Sequence, residues 1–288
     1  MMNRLDLGTQ DGVTVVFGGV YGNLEALLQF LAVMKNSEIE PHQIIHTGDI
    51  AAYGANPEEC AELLRSFGCH SIKGYIEEKL ANNEADLHCG YGADSLYAQL
   101  SPTWYDYTNK AISDETRAWM GALPQQISFT KAGYKCVVTH GGLRQIDSLH
   151  FPSTERNILI KELAAFPDID AVISGHTAIP MMRLPGEKLW HNPGAIGLPA
   201  NDGTQRGWFS ILYPTDEGQI CIDLQSINYD WQQAADKMRE ANLSKAYAKT
   251  LETGLIPNMK DLPIKEQAVT GVAIEPRAFL WPPKQKSQ

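Results

Sequence analysis

Five short stretches of the sequence set glycine beside a residue able to do chemistry: Gly18-Gly19-Val20-Tyr21-Gly22-Asn23, Gly48-Asp49, Gly74-Tyr75, His140-Gly141-Gly142 and Gly175-His176. Glycine lets the chain turn sharply and leaves room for a ligand against the backbone. Asp49, His140 and His176 supply oxygen and imidazole donors of the kind that borderline metals accept. The same three side chains could also form a hydrogen-bonded polar cluster without metal, because carboxylate and imidazole satisfy each other. The turn at 18–23 has its own reading, in which backbone N–H groups, those of Gly22 and Asn23 among them, receive a phosphate ahead of a helix. It is not a dinucleotide fingerprint, which would need glycines that Phe17 and Val20 do not supply, and no acid ends the second strand near His46. The chain has no G-x-S-x-G elbow and no evident cysteine–histidine nucleophile pair.

Most of these stretches follow apolar runs that read as strands. Residues 13–17 form a β-branched buried run, 43–46 lead into Thr47-Gly48-Asp49, and 71–73 end at Gly74. Residues 127–130 and 134–139 read as a hairpin about Ala132-Gly133 that delivers His140, and 171–174 precede Gly175-His176. Helices are predicted over 24–34, 58–67, 96–110, 114–123, 153–166 and 231–252, the fourth with Ser113 as N-cap. Further short strands are expected over 181–184, 189–191, 208–213 and 219–228. Strands alternate with helices and then give way to a β-rich half, so the pattern predicts an α/β protein of two packed sheets flanked by helices. Five prolines beyond Gly254 predict a loosely packed tail, dividing the chain into a domain at 13–254 and a tail at 255–288.

Composition narrows the classes. With 288 residues, 43% hydrophobic and 20% charged, the chain is neither disordered nor a coiled-coil rod. A net charge of −10 argues against generic nucleic-acid or anionic-membrane binding. No apolar run reaches the roughly 18–20 residues of a spanning helix. Residues 1–12 are polar and carry no leader-type apolar core, so a cytoplasmic location is expected. The five cysteines (Cys60, Cys69, Cys89, Cys136, Cys221) are scattered without a CxxC pair and read as reduced thiols. His42, His46, His70, His88, His150 and His191 are dispersed and read as packing or surface residues; His88-Cys89 lacks partners at metal-binding spacing. Trp104, Tyr105 and Tyr107 read as packing rather than a base-stacking platform.

Six stretches now stand in one order: GVYGNLEAL (19–27), GDIAAYG (48–54), GYIE (74–77), HGG (140–142), GHTA (175–178) and NPGAIG (192–197). They resemble the motifs D-x-H-G-N-x-x-A-L, G-D-x-x-x-x-G, G-N-H-[DE], H-G, G-H-T-H and N-P-G-S of the calcineurin-like metallophosphoesterases, in particular the small bacterial and archaeal phosphodiesterase branch. The resemblance runs from about Val13 to Gly254. It implies a four-layer α/β/β/α sandwich of two mixed sheets, and in the family two metal ions are bridged by the residue matching Asp49. The departures are specific. For the first metal, Gly19, Tyr21 and Ala178 stand where the resemblance expects Asp, His and His. For the second, Asp49, His140 and His176 are present and Tyr75 replaces an Asn. Ile76 stands in place of the family's catalytic His.

Two dications leaning on one carboxylate and two imidazoles would repel each other uncompensated at short range. The resemblance therefore implies no metal or one divalent ion, held by Asp49, His140 and His176 with Tyr75 available as a fourth ligand. Two functional readings follow. In the first, the protein has lost two-metal hydrolysis and keeps a pocket for a phosphate-like anion or a protein partner. Tyr21, Gly22, Asn23, Tyr75 and Arg206 are its expected contacts with a phosphate-containing small molecule. In the second, it is an active phosphoesterase, a phosphodiesterase or phosphatase, with Asp49, His140 and His176 catalytic around a single metal.

Overall fold

Alternation along the central strands sorts the core into layers. In the computed structural model, which describes residues 3–85, 87 and 95–282, two six-stranded sheets lie face to face. One runs, in spatial order, β12 (Arg277–Trp281), β11 (Ile220–Ile227), β10 (Gly207–Pro214), β2 (Thr14–Phe17), β3 (Ile44–His46) and β4 (His70–Ser71). The other runs β1 (Arg4–Thr9), β5 (Gln126–Lys131), β6 (Tyr134–Thr139), β7 (Ala171–Ser174), β9 (Leu189–Asn192) and β8 (Met181–Arg183). Both are mixed: β2–β3–β4 and β6–β7–β9 are parallel, while β10 on β2 and β5 on β6 are antiparallel.

Successive strand residues point to opposite faces. Val15 and Phe17 pack outward with Phe30, Leu64, Ala235 and Leu251, from α1 (Leu24–Asn36), α2 (Pro57–Phe67), α7 (Trp231–Glu240) and α8 (Lys245–Thr253). Val16 and Ile45 join Ile127, Val138 and Ile173 between the sheets. On the far side Val137 and Val172 meet Leu159 and Leu163 of α6 (Arg156–Ala164). The result is the four-layer α/β/β/α sandwich. Every residue of β2, β3 and β7 is buried. At roughly 1.5–3 kcal/mol for each fully buried aliphatic side chain, these strands give the loops that follow them a rigid base.

Several local expectations change. The helix expected over 231–252 is two helices, α7 and α8, because the chain reverses at Asn242, whose φ is 54°. The helix expected over 153–166 begins only at Arg156. Tyr75–Ala81 is a helix, α3, with Gly74 as its N-cap. Residues 4–9, read only as polar, form the edge strand β1, whose mostly exposed side chains leave no apolar run in the sequence.

Nor are residues 255–282 loosely packed throughout. β12 adds antiparallel to β11, and Trp281 is buried, stacked on Tyr134 with ring centroids 3.9 Å apart. The buried Glu266 accepts from the Ser153 backbone at 2.7 Å and from its hydroxyl. Prolines signal irregular backbone, but they do not reveal that such a segment has a distant strand to pair with. Among the described residues no helix is long and apolar enough to cross a membrane.

Candidate metal centre

Strands β3, β6 and β7 end at one edge of the sandwich, and the first residues past them carry Asp49, His140 and His176. The two sheets touch here through a hydrogen bond. His140 Nδ1 donates to the Thr47 carbonyl at 2.7 Å. A carbonyl has only lone pairs to offer, so the proton lies on Nδ1 and the ring is held with Nε2 toward the site. Nε2 is 2.9 Å from His176 Nδ1 and 3.3 Å from Asp49 Oδ1, and His176 Nδ1 is 3.8 Å from Asp49 Oδ2. One ligand atom from each residue lies within 4.8 Å of the other two.

Asp49 Oδ1 is buried and, among the described residues, meets no donor beyond the His140 ring 3.3 Å away. Leaving a buried acceptor unmet costs about 1–3 kcal/mol, more for a charged group. A cation where these atoms converge would meet that need, and the mixed N/O donor set suits one divalent ion. Burial opposes the charge on Asp49, yet the adjacent His140 holds its carboxyl well below the usual range. Burial likewise opposes charge on His140, but the Asp49 carboxylate lifts that imidazole above its ordinary value. For His176 burial wins, and the ring is pushed toward its neutral form.

The carboxylate that anchors this arrangement is Glu77, the last residue of GYIE, to which the sequence assigns no role. It is fully buried in the first turn of α3. Its Oε2 accepts from the N–H groups of Asp49 and Gly74 at 2.8 Å each, and its Oε1 from that of Ile50 at 2.7 Å. Burial first, and the Asp49 charge second, push its pKa up. An acid three residues past a helix-initiating glycine was the available signal.

The backbone around the site is strained. Tyr21, Asp49, Tyr53, His176 and Ala178 have φ between 50° and 64°, and they are half of the ten non-glycine residues with positive φ among the described residues. Each such conformation costs on the order of 1–3 kcal/mol, and such strain clusters at functional sites.

The positions matching a first metal do not assemble ligands. The Tyr21 ring lies over Gly19: a Cβ added there would sit 2.3 Å from Tyr21 Cζ and 2.4 Å from Cε2. Tyr21 is buried, and Ala178 offers no donor. Ile76, 3% exposed, puts hydrocarbon next to Tyr75. The Tyr75 hydroxyl donates to the Leu87 carbonyl at 2.6 Å, so it acts as a phenol donor there.

The expected anion cradle at 18–23 is not available as drawn. The N–H groups of Val20 and Tyr21 both go to the Asp49 carbonyl at 3.0 Å, that of Gly22 to Ile50 at 2.8 Å, and that of Asn23 to Val20 at 3.0 Å. Gly22 takes the left-handed conformation (φ 65°) that this tight fit requires. The Asn23 side chain caps α1 through Ala26 N at 3.1 Å and donates to the Gly197 carbonyl at 3.0 Å.

Arg206 is a clasp on the C-terminal segment. It donates to Thr204 Oγ1 (3.1 Å) and the Ile274 carbonyl (2.8 Å), pairs with Asp202 (3.4 Å), and lies 4.9 Å over the Trp208 ring. His46 packs on Phe17 at 4.8 Å, and burial holds it near pKa 3. His191 bridges the Met181 carbonyl and Ser210 Oγ at 2.9 Å each. His88 and Cys89 lie outside the described residues. Cys60, Cys69 and Cys221 form no disulfide among the described residues.

An α/β/β/α sandwich with an acid and two imidazoles converging from its strand ends has relatives. The sequence model of the calcineurin-like phosphoesterase superfamily domain matches residues 15–215, and the chain belongs to that family. The Methanocaldococcus jannaschii protein MJ0912, described as uncharacterized, is 28% identical over 257 residues, covering 83% of this chain and 97% of its own length. Among solved structures, a metallophosphoesterase from Sphaerobacter thermophilus superposes with a TM-score of 0.67 at 21% identity, over 85% of this chain and all of the other. The hypothetical protein PH1004 from Pyrococcus horikoshii gives 0.70 at 17% identity, over 85% and 99%. At these identities the two structures speak for the fold.

Proposed function

We propose that this protein no longer performs two-metal phosphoester hydrolysis and instead uses Asp49, His140 and His176 to hold one divalent ion, Zn, Mn or Fe, beside which a phosphate-bearing ligand binds. The observation that carries this reading is the Tyr21 ring over Gly19, which fills the space where a further carboxylate would stand.

Two facts favour a cation over a bare polar cluster. Asp49 Oδ1 has no donor among the described residues beyond the His140 ring at 3.3 Å. Without added positive charge, Asp49 and the buried Glu77 would also repel an anion at short range, and the N–H groups of residues 20–23 are already spent. When bound, such an ion supplies positive charge and Lewis acidity toward a phosphoryl oxygen. The chain's own groups orient the site: the Thr47 carbonyl fixes the His140 ring, and Glu77 holds the backbone at Asp49 and Ile50. Ile76 puts a hydrocarbon side chain where the motif resemblance expects an imidazole that could protonate a departing alkoxide.

A second reading, a single-metal phosphodiesterase or phosphatase, is favoured by the strained backbone kept at Asp49 and His176. Elemental analysis of untagged protein purified without chelator, paired with a phosphoester panel, separates the two. One ion per chain and calorimetric binding of methylphosphonate without turnover support the first. One ion with turnover that is lost in both His140→Ala and His176→Ala supports the second. No ion, or two, overturns both.

A further inference from the structure

Next to the three metal-ligating side chains lies a cleft of about 120 Å³ whose wall includes His176 and Ala178. Among the described residues four tyrosines line it: Tyr21, Tyr53, Tyr97 and Tyr247. They form a braced aromatic wall. Tyr53 stacks on Tyr247 with centroids 4.3 Å apart at 26°, meets Tyr97 edge-on at 6.2 Å, and sits 5.2 Å from Tyr21. The Tyr53 and Tyr97 hydroxyls are 3.0 Å apart, and Trp104 backs the wall edge-on to Tyr53 at 4.8 Å. Leu100, Leu198 and Ile256 supply aliphatic surface elsewhere in the cleft. Tyr21 and Ala178, where metal-ligating side chains are missing, both belong to the lining, so the same two residues that empty the first metal position shape this cleft.

The charge of the lining selects what can enter. Among the described residues no lysine or arginine lines it, and the one carboxylate is Asp261. A phosphate group would therefore find no counter-charge inside the cleft and belongs at its mouth, by His176. The interior suits a neutral, apolar group. Its volume limits the size: an apolar cavity of ~150 Å³ takes up one benzene, so a cleft of about 120 Å³ that is open on one side admits no more than one ring or a short branched alkyl chain.

We infer that this cleft is the subsite for the organic part of the ligand, and that the ligand is a phosphate monoester or phosphonate bearing a single aromatic ring or short branched alkyl group. The inference rests on the proposed phosphate binding at Asp49, His140 and His176, and it adds the substrate class to that reading. It excludes ligands whose second phosphate would have to lie among the tyrosines.

The test uses full-length protein loaded with Zn and three probes: phenylphosphonate, methylphosphonate and 4-fluorophenol. Affinities come from calorimetry and, for the fluorinated probe, from fluorine NMR. Phenylphosphonate is expected to bind at least about tenfold more tightly than methylphosphonate, a difference of ~1.4 kcal/mol. Two partly exposed lining residues, Leu100 and Ile256, give variants that fill the cleft from different elements. Leu100→Trp and Ile256→Trp should each bring the ratio close to one while methylphosphonate affinity stays unchanged. Equal affinity of the two phosphonates for the wild-type protein overturns this inference and leaves phosphate binding intact. A ratio that survives both filling variants also overturns it, since the ring would then bind elsewhere. If neither phosphonate binds while 4-fluorophenol does and is expelled by both fillings, the phosphate reading fails and the substrate class falls with it, leaving a ring site alone.

Discussion

Whether the first metal position is truly filled by protein can be tested by adding one methyl group. In Gly19→Ala the new Cβ would sit 2.3, 2.4 and 2.8 Å from three carbons of the Tyr21 ring, distances at which something must move. Gly19 does not have a left-handed φ, so backbone strain adds nothing and the cost is steric alone. The ring has little freedom to yield, being 4% exposed and tilted against Tyr53 at 5.2 Å. Overpacking of a filled core costs ~1–3 kcal/mol, and a clash with three ring atoms belongs near the upper end. For a chain of this size, ~3 kcal/mol lowers the melting temperature by about 6–12 °C. In a Tyr21→Ala background the clash vanishes, so the same methyl should cost under ~1 kcal/mol, giving a coupling of ~2–3 kcal/mol in a double-mutant cycle. The assay is thermal and urea unfolding of the four proteins under metal-free conditions. A Gly19→Ala protein within ~0.5 kcal/mol of wild type, or an equal loss in both backgrounds, refutes the placement of Tyr21 and the functional reading built on it.

Glu77→Ala strands three buried N–H groups at about 1–3 kcal/mol each, and is expected to consume most of a typical domain's 5–15 kcal/mol, whereas Glu77→Gln keeps an acceptor and loses less; urea midpoints decide. Because His140 titrates above its usual value through its pairing with Asp49, the stability that this pair lends the metal-free protein is fully present below about pH 6.5 and is lost as pH rises through the raised pKa. A metal must displace that proton, so Zn affinity should climb by up to about tenfold per pH unit over the same interval, and a flat calorimetric profile would contradict the assignment. The combined variant Gly19→Asp, Tyr21→His, Tyr75→Asn and Ala178→His should bind two ions per chain by elemental analysis; a gain of none would mean that the loops have moved as well as their side chains.

What the linear sequence determined is the part written in local order. Strand-ending runs before Gly48-Asp49, His140-Gly141 and Gly175-His176 indicated two packed sheets, and the motif resemblance added the sandwich and the grouping of Asp49, His140 and His176, which parallel strands help deliver to one edge. The missing side chains at Gly19 and Ala178 could be read directly as well. What only the tertiary structure decided is where each polar group found its partner. Asn23 reaches across 174 positions to the Gly197 carbonyl, and Arg206 across 68 to that of Ile274, partners that no local motif indicates. Glu77 became the anchor of Asp49 because α3 turns it back beneath the loop, and Tyr21 became a wall because its ring folds over a glycine two residues away. Spacing along the chain sets which loops can meet. The direction of a side chain and the identity of its distant hydrogen-bond partner are fixed only when the layers close and every buried donor and acceptor must be matched.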